Sequence, residues 1–63
     1  MKVAILYDEQ YRTYDIHRAN MFFRIFGPSI FTYITCDSTR DNALEAAKRR
    51  IKGKTKVLDY ASL

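Results

Sequence analysis

Two stretches of this chain are written on one plan. Residues 11–27 read YRTYDIHRANMFFRIFG and residues 37–53 read DSTRDNALEAAKRRIKG. Laid side by side without gaps, they share Thr13/Thr39, Asp15/Asp41, Arg24/Arg50, Ile25/Ile51 and Gly27/Gly53. Each opens on Thr-x-Asp, a helix start signal, and closes on Arg-Ile-x-Gly, a helix stop, before a β-rich run. A strand–helix unit used twice limits the possible folds more than any single residue does.

The rest of the chain fills in that plan. Val3–Tyr7 is a nearly continuous apolar run of β-formers, as expected of a strand buried on both faces. Over 13–26 a helix is expected, with Thr13 as N-cap and Asp15 in the first turn, where a carboxylate suits the helix dipole. Ile16, Ala19, Phe23 and Phe26 would make its apolar face, Gly27 its left-handed cap and Pro28 its stop. The competing expectation is a hairpin of Met21–Phe26 and Ile30–Cys36 around Gly-Pro-Ser, because Phe and Ile suit strands. Ser29–Cys36 reads as a strand. Asp37, Ser38 or Thr39 then caps a second helix with Ala43, Leu44, Ala47 and Ile51 on its apolar stripe. Thr55–Tyr60 is the last strand.

The expected architecture is therefore α/β: a small β-α-β-α-β unit with a three-stranded parallel sheet and two helices, strand one in the middle. The alternative is α+β, a hairpin plus one helix. Residues 1–63 form a single small domain. A core this small supplies only about 3–5 kcal/mol, so small chains lean on disulfides, metals or association. Cys36 is the only cysteine and cannot close an internal disulfide, and no Cys/His cluster has metal-ligand spacing. No metal and no cofactor is expected. Association, most simply a homodimer, is the expected staple. The apolar N-terminal run is too short to cross a membrane, and a lone cysteine fits a reducing cytosol. The expectation is a soluble, unprocessed, cytoplasmic protein.

KVAILYDEQ resembles the opening of response-regulator receiver domains, an apolar first strand that ends in acidic residues. DNALEAAKRRIKGKTKVLDYASL is similar to the second helix and third strand of that flavodoxin-like fold. The resemblance covers the first half of a receiver. It implies Asp8 and Glu9 as an acidic, Mg²⁺-type site and Asp59 as a phosphoacceptor.

Four groups of residues bear on function. The carboxylates Asp8, Glu9, Asp37 and Asp59 are expected at strand ends, where they most simply end strands, cap helices or face solvent. His17 and Cys36 give no sign of meeting as a nucleophile–base pair, and Cys36 reads as a small buried residue. Lys48, Arg49, Arg50, Lys52, Lys54 and Lys56 form a basic run free of acids in a chain of net charge +4. That run would hold phosphates in a nucleic-acid-binding accessory protein. Met21, Phe22, Phe23, Ile25 and Phe26 offer more apolar surface than one helix stripe can bury. Phe22, Ile25 and Phe26, with Tyr11 and Tyr14, are the candidate partner-binding residues. The leading expectation is a non-enzymatic regulatory or interaction protein that docks on itself or on a larger protein.

Overall fold

The computed structural model describes residues 2–51 and 53–59. Its elements run β1 (Lys2–Asp8), β2 (Thr13–Arg18), α1 (Met21–Phe26), β3 (Tyr33–Asp37), α2 (Arg40–Arg50) and β4 (Lys56–Asp59). The strands form one sheet in the order β3-β2-β1-β4. β1 and β2 are an antiparallel hairpin, β2 and β3 are antiparallel, and β1 and β4 are parallel. This is a mixed α+β sheet of four strands, not the three-stranded parallel β-α-β-α-β sheet expected.

The error lies between residues 9 and 20. Thr13 does not cap a helix; it starts β2, and its hydroxyl donates to Asp15 Oδ1 at 3.0 Å. The chain turns back over Glu9–Arg12 without a glycine or proline. Asp8 Oδ1 makes the turn by accepting from the backbone N–H groups of Gln10 (2.9 Å) and Tyr11 (3.3 Å), as Asx turns do. Arg12 closes it at φ 54, the left-handed conformation usually left to Gly or Asn. The hairpin is thus Lys2–Arg18, and Met21–Phe26, the proposed alternative strand, is helical. The β-α-β-α-β order implied by the receiver resemblance is not what the chain forms.

The closing halves of the two repeats match in part: Gly27 caps α1, whereas Ile51, in extended conformation, caps α2, and Gly53 does not end that helix as expected. α1 ends at Gly27, with φ 76, and α2 runs to Arg50, with Gly53 at φ 93 beyond it. Thr39 caps α2 as expected, its Oγ1 accepting from Asn42 N–H at 3.2 Å.

The apolar run of β1 is buried on both faces, because β1 has a neighbour on each side and a helix on each face. Val3 and Ile5 join Ile16, Ile34, Ala43, Ala47 and Ile51 in the core beneath α2, with Tyr14, Leu44 and Val57 packed around them. Ala4 and Leu6 join Phe23 beneath α1, with Ala19 beside them. The α2 stripe is the one expected. Burying a side chain such as Ile16 contributes about 1.5–3 kcal/mol, so the α2 side supplies most of the stability.

A bulge in β3 sets up the other face. Ile16 pairs with Thr35 but His17 with Tyr33, so Ile34 is an extra residue. In a regular strand, side chains three positions apart point to opposite faces. The extra residue puts Tyr33 and Cys36 on the same face as Asp15 and His17. Cys36 is exposed there, not buried as expected.

Candidate functional site

α1 lies on the sheet by a single side chain. Asn20 starts it, its Oδ1 accepting from Phe23 N–H at 3.0 Å, and Gly27 stops it, its N–H donating to Phe23 O at 2.7 Å. Phe23 is the one buried residue of the helix and rests on Ala4 and Leu6. At about 100° per residue, Phe22 and Phe26 turn to one side of Phe23 and Arg24 to the other, leaving Met21 and Ile25 on the outer surface. The helix points its apolar arc away from the sheet, which inverts the usual amphipathic arrangement.

The following turn extends that arc. Ser29 O accepts from Thr32 N–H (3.2 Å) and Tyr33 N–H (3.0 Å), and Ser29 Oγ accepts from Phe31 N–H (3.2 Å). Thr32, fully buried, locks the turn from beneath: its Oγ1 accepts from Ser29 N–H at 3.2 Å and lies 2.8 Å from His17 Nδ1. Ile30 and Phe31 are pushed outward. Phe22 bridges helix and turn, its ring centroid 4.7 Å from Phe26 and 5.4 Å from Phe31. Met21, Ile25, Phe26, Ile30 and Phe31 are all between 65% and 84% exposed. Together with half-buried Phe22 they form one apolar facet.

Beside the facet lies an open groove of about 290 Å³, lined by Asp15, His17, Pro28, Ser29, Ile30 and Tyr33. His17 is only 5% exposed and is held between the rings of Phe23 (5.9 Å) and Tyr33 (5.7 Å). Burial lowers its pKa below the ordinary 6.5, and the charge of Asp15 opposes that only in part. The Tyr33 phenol is pushed up to about 12, chiefly by the Cys36 thiol beside it and then by burial, with smaller contributions from the charges of Cys36 and Asp15.

The structure gathers some of the residues expected to bind a partner and separates others. Phe22, Ile25 and Phe26 lie together in the facet. Tyr11 is exposed, but in the β1–β2 loop beyond the far end of β1. Tyr14 is half-buried, packs on the α2 core and meets the Tyr7 ring at a tilt, centroids 5.0 Å apart. Met21, Ile30 and Phe31 were not singled out. The signal for the last two was Pro28-Ser29, a turn in front of two large apolar residues that read instead as the start of a strand.

Lys48, Arg49, Arg50, Lys54 and Lys56 are exposed, and Lys52 lies outside the described residues. They do not share a face. The first three fan around the end of α2, whereas Lys56 alternates with Val57 and so faces away from the α2 core. Asp8 is occupied in its turn. Among the described residues, no three of His, Cys, Asp and Glu gather in a metal-holding group, and no helix is long and apolar enough to cross a membrane. No family model, curated protein or solved structure matches this chain.

Proposed function

We propose that this chain is a small, non-enzymatic binding module that docks on a larger protein through the facet of Met21, Phe22, Ile25, Phe26, Ile30 and Phe31. One observation carries this reading. A helix on a sheet ordinarily turns its apolar side inward, and here Met21, Ile25 and Phe26 of α1 face outward, with Phe22 half-buried beside them, and join two more from the next turn. Contiguous exposed apolar surface on a small domain marks an interaction site. The contacts of the Phe22 ring, tilted on Phe26 and edge-on to Phe31, also give that surface a fixed shape, which lowers the entropy cost of docking. The exposed free thiol of Cys36 fits a reducing, cytoplasmic setting.

A photo-crosslinking side chain at position 25, compared with one at exposed position 45 on α2, tests the reading in cells. A discrete adduct of defined mass from position 25 alone is expected, and it is lost in Phe31→Ser. Equal labelling from both positions, or none from position 25, rejects it.

A further inference from the structure

Resting on that docking reading, we infer that the facet takes an acidic amphipathic segment of its partner, in which Asp and Glu are interleaved with large apolar residues. The first observation is of charge. From Ile16 to Cys36 the chain has no Asp or Glu, so neither α1 nor its following turn brings a carboxylate to the facet. Arg24 is exposed beside Met21 on the flank of α1 that faces away from Phe31.

The second observation is of register. Lys2 and Lys56 are paired neighbours in the parallel β1–β4 ladder, both exposed. Lys2 alternates with Val3, so it shares the face of Ala4 and Leu6, on which α1 lies. Its carbonyl accepts from Ala19 N–H at 2.9 Å, which holds this pair of lysines at the entry to α1. Three cations from three elements, Lys2, Arg24 and Lys56, therefore stand on the same side of the sheet as the facet. Two carboxylates share that face: Asp15, in the groove beside Ile30, with Thr13 bonded to one oxygen, and Asp8, at the far end of β1, held in the β1–β2 turn. The facet is thus positive along its Arg24 side, and a partner's acids belong there.

A second copy fits this surface less well. A twofold contact pairs this facet with an identical one, so two flanks of the same positive sign would come together with no carboxylate from residues 16–36 of either copy to meet them. An anionic membrane offers the right charge. However, α1 is only six residues, about 9 Å long, far short of the helices that lie in a bilayer interface. Its rings also pack on one another, tilted and edge-on, into a shaped surface, not spread for insertion. A peptide segment is the occupant that matches both the shape and the charge.

The test uses the intact chain, isotope-labelled, with a synthetic peptide of alternating Glu/Asp and Leu/Phe and its twin carrying Lys at every acidic position. Saturable shifts confined to Met21–Phe26, Ile30 and Phe31 are expected with the acidic peptide. Binding should fall about tenfold for the twin, and about tenfold for the triple variant Lys2→Glu, Arg24→Glu, Lys56→Glu. The unperturbed amide spectrum of that variant shows whether it is folded; the single variant Arg24→Glu, with a smaller loss, serves if it is not. Equal binding of the twin, no loss in the charge variants, no shift with either peptide, or shifts that appear only with self-association or with anionic vesicles would overturn the inference. Because crosslinking at position 25 does not depend on the peptide's charge, loss of the acidic preference alone leaves the docking reading standing, whereas loss of both ends it.

Discussion

His17 Nδ1 lies 2.8 Å from Thr32 Oγ1, and this contact ties the second strand of the hairpin to the turn that carries Ile30 and Phe31. Both residues are buried, and they are fifteen positions apart in sequence. The facet therefore stands on a hydrogen bond between a strand and a loop, and removing that bond should loosen the facet before the α2 core feels it.

Thr32→Val keeps the shape and removes the hydroxyl. It leaves Ser29 N–H and His17 Nδ1 without their partner, and an unsatisfied buried polar group costs about 1–3 kcal/mol. Urea unfolding is expected to show a loss of that size, while Thr32→Ser, which keeps the oxygen, stays within about 1 kcal/mol of the parent. Equal losses in the two variants would mean the hydroxyl does not anchor the turn.

Stability should depend on pH through His17. Its folded pKa is lowered, so below the ordinary value of 6.5 the unfolded chain takes up a proton that the folded chain still refuses. Stability is then full above that value. It falls as pH drops from 6.5 to the lower folded pKa, and it levels off beneath that. His17→Gln is expected to flatten the slope that begins as pH falls below 6.5, whatever its own cost. A slope of the opposite sign, or one unchanged in the variant, would contradict the neutral, ring-flanked imidazole.

The Tyr33 phenol is pushed up to about 12, chiefly by the Cys36 side chain, which the bulge in β3 brings to the same face. Cys36→Ala should bring the phenol down toward 10, followed by the tyrosine ring resonances in alkaline titration. No movement would mean that the bulge does not bring the two side chains together.

Gly27 has φ 76 and ψ −167, a region essentially reserved for glycine. A Cβ there would meet no atom within 4 Å, so any penalty for Gly27→Ala is backbone strain, about 1–3 kcal/mol. Gly53→Ala, at φ 93 and equally uncrowded, is the natural comparison. Thermal unfolding of both should show losses of similar origin; a neutral Gly27→Ala would argue against this cap.

Ile16→Ala opens a cavity in the middle of the α2 core and is expected to cost about 2–5 kcal/mol. On a domain of this size that is enough to unfold most of the chain, visible as lost amide dispersion.

Much of this architecture is legible in the residues, and the reason for each failure is physical. The α2 helix announces itself because cap, stripe and charge order agree within one local segment: Thr39, then Ala43 and Ala47, then Lys48 to Arg50. Residues 13–18 misled because Thr13 and Asp15 form a valid helix start, while the turn before them carries no glycine. Asp8 supplies that turn with its side chain and Arg12 with an uncommon φ. The facet was half legible: the apolar surplus on 21–26 was visible, but Ile30 and Phe31 read as strand, and the placing of Lys2 and Lys56 on its side of the sheet depends on a pairing across more than fifty residues.

The sequence by itself determined the units whose signals are local: the doubly buried first strand, the capped second helix, and the glycine stop of the short one. Tertiary structure decided that Thr13–Arg18 extends along Val3–Asp8 instead of coiling, because pairing there satisfies a row of backbone groups and buries Ile16 and His17 on opposite faces at once. That choice used up the residues that would have begun a longer helix. It left α1 as six residues with one side chain inward, and so turned its remaining apolar surface outward.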